Sequence, residues 1–178
     1  PTQIIADYMT MKEKLGDLKN KKVVFVGDYK NNMGYSVMIG AAFMGMHVVL
    51  CGPKKYKELM DKNVIEKCQD LFKQNGGSLE FSDNKLEAAK NADVIYTDVW
   101  VSLGEPFELF DSRINELQDF QVDMKMMKAA KESVIFMHCL PAFHDDHTLF
   151  SKEVAATLGE KYPIVTFDEY IRKNYSKK

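Results

Sequence analysis

The sequence has almost no arginine. Of its 24 basic residues only Arg113 and Arg172 are arginines, and the rest are lysines. They face 26 acidic residues, for a net charge of -2, so no basic field points to nucleic acid or an anionic lipid surface as a partner. Cysteine is scarce as well. Cys51, Cys68 and Cys139 are odd in number and lack CxxC spacing, which argues against a disulfide framework or a zinc ribbon and suits a reducing, cytoplasmic setting. Long apolar runs are missing. The longest, residues 37–51, is interrupted by His47 and carries Gly40 and Gly45; it is too short for a bilayer and reads as a buried helix running into a strand. Internal repeats, low-complexity tracts and glycine-serine linkers are absent too. The chain starts at Pro1 with no initiator methionine, and the expectation is a processed or excised piece of something longer, without a signal peptide.

What is present is the balance of an ordinary globule. The 178 residues are 46% hydrophobic and 28% charged, enough for one domain with a real core. Strand and helix patterns alternate. Residues 2–15 read as an amphipathic helix closed by Gly16. Residues 22–28 (KVVFVGD) form a nearly unbroken β-branched and aromatic run, the mark of a strand buried on both faces. Asn31 and Asn32 offer N-caps to a helix through Met46. Further strands are expected at 47–51, 78–82, 93–99 and 133–139. Helices are expected at 56–74, 85–91, 107–117, 122–131 and near 151–158. This alternation predicts an α/β fold: one doubly wound, Rossmann-like, five-stranded parallel sheet in the order 3-2-1-4-5, with helices on both faces.

Ligands in such sheets bind beyond the carboxyl ends of the strands at the switch point. Strands one, four and five meet there, and each ends in a polar cluster. The first, Gly27 to Gly34 (GDYKNNMG), has no GxGxxG, and strand two ends in Cys51-Gly52-Pro53 without an acid, so a dinucleotide is not expected. Its asparagines open a helix whose N–H groups favour a carboxylate, or they only cap that helix. In the second cluster Asp98 precedes Trp100, Ser102 and Glu105. An ionised carboxylate at a buried strand end needs a partner, which a substrate ammonium would supply, as would a lysine or a loop N–H. The third holds His138, Cys139, His144 and His147, whose spacing matches no standard zinc site. His138 and Cys139 are adjacent, so in extended chain they point opposite ways, which argues against a Cys–His nucleophile pair. Taken singly, His144 and His147 read as solvated loop residues.

Together these segments resemble the ornithine carbamoyltransferases. Pro1-Thr2-Gln3 is similar to the end of that family's His-Pro-Thr-Gln motif, and Gly27-Asp28 through Asn31-Asn32-Met33-Gly34 is similar to its first-strand signature. Asp98-Val99-Trp100-Val101-Ser102-Leu103-Gly104-Glu105 resembles Asp-Val-Trp-x-Ser-Met-Gly-Glu, with Leu103 in the place of Met. His138-Cys139-Leu140-Pro141-Ala142 matches the His-Cys-Leu-Pro loop. These signatures keep the family's order and spacing from Pro1 to about His147. After Thr148 the match weakens: residues 149–178 lack a clear Glu-Asn-Arg-Met-His helix, and Arg172 falls out of register.

The resemblance implies transfer of a carbamoyl group from carbamoyl phosphate to the δ-amine of L-ornithine, giving citrulline and phosphate. Residues 1–178 would be the single ornithine-binding domain. The carbamoyl-phosphate domain, with its Ser-x-Arg-Thr-Arg loop, is absent from the chain, so the piece alone should not turn over. By position, Asn32 and Asp98 would hold the α-carboxylate and α-amine, and Ser102 and Leu103 would lie on a loop closing over the substrate. Cys139 and the Leu140 carbonyl would face the δ-amine beside His138, and Gln3 would approach the carbamoyl group. Leu140-Pro141 is expected to be cis, no cofactor or metal is called for, and the intact enzyme is expected to be a trimer-based homo-oligomer. The chemistry agrees: an ammonium cannot attack a carbonyl, so a neutral amine must be held in line, with a thiolate or carbonyl accepting its hydrogens. Two alternatives stand beside this one, a carbamoyltransferase for another amine such as putrescine and a non-catalytic binding or interaction module.

Overall fold

The computed structural model describes residues 2–101, 105–106 and 108–140. The sheet is built on β1 (Lys22–Val26), whose side chains alternate between two cores. Val23 and Phe25 face one cluster, Val24 and Val26 the other. This explains why its sequence is apolar without a break: in a sheet covered on both faces neither parity is exposed. The other strands are β2 (His47–Cys51), β3 (Ser78–Ser82), β4 (Val94–Thr97) and β5 (Ile135–His138). All neighbours pair in parallel, in the order β3-β2-β1-β4-β5. The fold expected from the sequence is the fold found.

Three helices cover one face: α1 (Thr2–Leu15), α2 (Asn32–Met44) and, after the single turn α3 (Tyr56–Leu59), α4 (Lys62–Asn75). Tyr8, Met11, Val37, Met38, Cys68 and Phe72 pack there against Phe25, Leu50 and Tyr96. α5 (Lys85–Ala89) and α7 (Met124–Ala129) cover the other face, with Ala88, Ala89, Met126 and Met127 on Val24, Val49 and Ile95. Between them α6 (Leu109–Leu117) runs into a 3₁₀ turn, Gln118–Phe120, and sends Leu117 to the first core.

Several boundaries differ from the sequence pattern, each for a local reason. Residues 56–74 are not one helix. Met60 is extended, and the Asp61 carboxylate accepts from Asn63 N at 2.8 Å while its own N–H donates to Tyr35 Oη at 2.6 Å. A cap and a tertiary bond thus restart the helix. α2 stops at Met44 because Gly45 turns left-handed at φ 64. β1 and β4 end at Val26 and Thr97, before the expected limits at Asp28 and Val99. The Thr97 hydroxyl donates to Val26 O at 2.9 Å where the two strands end, and Asp28 and Asp98 lie in the loops beyond. No helix among the described residues is long and apolar enough to cross a membrane. The expected helix near 151–158, the Leu140-Pro141 peptide and the tail with Arg172 lie outside the described residues.

Candidate active site at the switch point

The carboxyl ends of β1, β4 and β5 bring Asn31, Asp98 and Cys139 into one hydrogen-bonded cluster. Asn31 is the N-cap of α2, its Oδ1 accepting from Met33 N at 2.9 Å and Gly34 N at 3.0 Å. The same carboxamide turns its Nδ2 to Asp98 Oδ2 at 3.0 Å. The cap is therefore also a tether between β1 and β4. Gly34 is needed for this turn, since a Cβ there would fall 2.0 Å from the Tyr29 carbonyl oxygen.

Asp98 accepts two further bonds on Oδ1, from Val99 N and from Cys139 Sγ, each at 2.7 Å. All these donors are neutral. Among the described residues this carboxylate at the mouth of the sheet is oriented by three hydrogen bonds with no cation among them, an environment suited to an ammonium. Cys139 is 8% exposed. Burial first, then the bond to Asp98 and its charge, push the thiol up to about 12. Near neutral pH the group is a thiol, not the thiolate that the sequence left open. With its hydrogen committed to Asp98, the sulfur presents only lone pairs outward.

His138 turns away, as adjacency in an extended chain requires. Its ring packs beside Phe136 at 5.8 Å, and its Nδ1 lies 2.9 Å from Cys139 O. Leu140 follows with 77% of its surface exposed. Asn32 is exposed in the first turn of α2; of the two asparagines it is Asn31, not Asn32, that contacts Asp98. Gln3, exposed on α1, donates Nε2 to Asp7 Oδ1 at 2.9 Å. Ser102 and Leu103 lie outside the described residues, as do His144 and His147. Among the described residues no His, Cys, Asp and Glu side chains gather as a metal site.

Two features escaped the sequence reading. Asp28 is buried and does not face a ligand: Lys30 Nζ sits 2.7 Å from Oδ2 and Arg113 Nη1 3.0 Å from the same oxygen. Arg113 also reaches Glu105 at 3.2 Å, so one guanidinium joins the end of β1 to the segment that follows Asp98. The available signal was one of only two arginines in a lysine-rich chain; the planar guanidinium has five donors in a fixed fork, well suited to bridging two carboxylates. The second is Asp7, 5% exposed, which also accepts from Tyr96 Oη at 2.8 Å. Its signal was the i, i+4 spacing from Gln3 on one helix face.

The profile described as the Asp/Orn binding domain of aspartate/ornithine carbamoyltransferase matches residues 19–178. The chain belongs to this family. It is similar to the catabolic ornithine carbamoyltransferase of Malacoplasma penetrans, 75% identical over 169 residues, which cover 95% of this chain and 49% of that protein. The corresponding protein of Mycoplasma pneumoniae is 65% identical over 170 residues, 93% of this chain and 49% of its own length. Among solved structures, the ornithine carbamoyltransferase of Pyrococcus furiosus superposes with a TM-score of 0.73 at 42% identity, covering 83% of this chain and 47% of its own. The chain thus spans about half the length of the family members it matches. The matched residues include the signatures at residues 27–34, 98–105 and 138–142, and the switch-point cluster of Asn31, Asp98 and Cys139 sits on them.

Proposed function

We propose that this chain is the amino-acid-binding half of an ornithine carbamoyltransferase, which carries a carbamoyl group from carbamoyl phosphate to the δ-amine of L-ornithine and yields citrulline and phosphate. The observation that carries this reading is Asp98, held at the switch point by three neutral donors. An α-ammonium at Asp98 supplies the missing positive charge. Asn32, exposed at the opening of α2, binds the α-carboxylate with the helix N–H groups behind it. Ser102 and Leu103 complete the amino-acid end.

At the other end the δ-amine must lose its proton before it attacks. Desolvation lowers its pKa, and the Cys139 sulfur with the Leu140 carbonyl accepts its hydrogens, so that the lone pair points at the carbamoyl carbon. Gln3 contacts the carbamoyl group. The phosphate needs cationic donors, and the Arg113 guanidinium is already occupied by Asp28 and Glu105. In this reading a carbamoyl-phosphate-binding half supplies those donors, the isolated chain does not turn over, and the whole enzyme is a cytoplasmic, trimer-based homo-oligomer with no cofactor.

An acceptor panel tests this. Initial rates of phosphate release by the full-length protein, with ornithine, N-acetylornithine and putrescine, should favour ornithine by at least about 100-fold, since N-acetylornithine leaves the Asp98 charge unpaired and putrescine leaves the carboxylate-binding donors without an acceptor. Equal rates with putrescine would move the assignment to another amine. Ornithine binding without phosphate release would leave a binding module.

A further inference from the structure

We propose that Asp7 is a positioning residue whose carboxylate fixes which end of the Gln3 carboxamide faces the carbamoyl group. The proposal rests on the function given above. Gln3 and Asp7 lie one turn apart on α1, with Gln3 Nε2 donating to Asp7 Oδ1 at 2.9 Å. The other oxygen of Asp7 is held by Tyr96 Oη at 2.8 Å. Tyr96 is fully buried in β4, two residues before Asp98, and its ring stacks on Phe25 at 5.9 Å. A helix side chain is thereby locked to the strand that carries the amino-acid site.

The chemistry of this bond is directional. An ionised carboxylate only accepts, so the end of Gln3 that faces it must be the NH₂. The Gln3 carbonyl is then turned outward as an acceptor. A carbamoyl group carries an NH₂ donor and a carbonyl acceptor of similar size, which an unoriented amide cannot distinguish. With Oε1 outward, Gln3 takes the carbamoyl NH₂ and leaves the carbamoyl oxygen to other donors, the arrangement a developing oxyanion requires. Tyr96 stays a donor in this chain: burial first, then the bond to Asp7 and its charge, hold its phenol far above the ordinary range. Asp7 touches no reacting atom and acts only through Gln3.

The test is a double-mutant cycle in the full-length enzyme, with carbamoyl phosphate varied at saturating ornithine. Asp7→Asn keeps the shape but lets Gln3 present either end. The expected result is a loss of about tenfold in kcat/KM for carbamoyl phosphate, with the dissociation constant for ornithine unchanged. In a Gln3→Ala background the same substitution should change kcat/KM less than twofold. Equal losses in both backgrounds would overturn the proposal, because a purely structural role does not need Gln3; so would no loss in the Gln3 enzyme. Tyr96→Phe, which keeps the Gln3 bond but frees one carboxylate oxygen, serves where Asp7→Asn does not fold, and its smaller loss should vanish in the same background. A wild-type enzyme that does not carbamoylate ornithine removes both reading and proposal, whereas turnover with background-independent losses removes the proposal alone.

Discussion

Cys139 and Asp98 are joined by one hydrogen bond. The thiol donates to a carboxylate 2.7 Å away, and that bond joins burial in keeping the sulfur protonated. Two expectations follow at this scale. Cys139→Ser keeps a donor for Asp98 but replaces a polarisable sulfur with a smaller, harder oxygen; kcat should fall by roughly 10- to 100-fold, since it orients the attacking amine, while the melting temperature moves by only a few degrees. Steady-state kinetics beside a thermal melt separates the two, and unchanged kinetics with a large loss of stability would make the residue structural. The second concerns reactivity. Only the thiolate alkylates, so at pH 8 Cys139 should react with iodoacetamide far more slowly than a free thiol. Asp98→Asn removes a negative charge that holds the thiol up, so its pKa falls and the alkylation rate at pH 8 rises. A slower reaction in that variant would contradict the assigned cause.

Among the elements, α2 matters most for the site because its cap and its buried face do separate jobs. Asn31→Ala removes the two bonds to Met33 N and Gly34 N and also the tether to Asp98. It should cost about 1–2 kcal/mol in a denaturant titration and weaken ornithine binding as well. Farther along α2, Gly40 admits α1: a Cβ there would lie 2.2 Å from Tyr8 Cε2. That ring is not free to swing, since Tyr8 Oη donates to Val37 O at 2.7 Å, so Gly40→Ala should cost about 1–3 kcal/mol by the same titration.

The elements also show what could be read from the chain itself. The runs at Val23–Val26 and Val48–Cys51 announce buried parallel strands because both parities are apolar, and the observed strand order is that of a doubly wound fold. Asp98 and Cys139 were legible because each ends such a run. The break at Met60 and Asp61 was not, since it depends on a bond to Tyr35, 26 residues earlier. Nor was the Arg113–Asp28 pair, which joins residues far apart in sequence. Periodicity reports which face is buried; it carries no record of which polar groups meet across that face.

Over the whole molecule, ionisation sets the pH range of stability. Cys51 and Cys139 are pushed up to about 12 from an ordinary 9.0, and burial raises Cys68 as well as Tyr8 and Tyr96. Each group is neutral in its lower-pH form and binds its proton more tightly when folded. Their contribution is therefore complete below the unfolded values and is lost as pH rises through the folded ones. The urea midpoint should stay level from pH 7 to about 8.5 and fall steadily above about 9. At the opposite end of the sheet burial disfavours the Asp93 carboxylate, but the bonds from Lys131 and Lys22 N with the charges of Lys131 and Lys21 outweigh it and hold its pKa below the usual range. That contribution is present above the unfolded pKa and disappears as pH falls through the folded one. A urea midpoint that rose between pH 9 and 11 would contradict the assignment made for the buried thiols and phenols.

The proposed activity requires Asp98 to receive the α-ammonium of a small zwitterion at the switch point. The most direct measurement is calorimetric titration of L-ornithine into the full-length enzyme in the presence of phosphate, comparing wild type with Asp98→Ala. Loss of the carboxylate that pairs with the ammonium should weaken binding by at least about 30-fold, or 2 kcal/mol, without lowering the melting temperature enough to unfold the sample. Equal ornithine affinity in the two proteins would contradict the account at its centre.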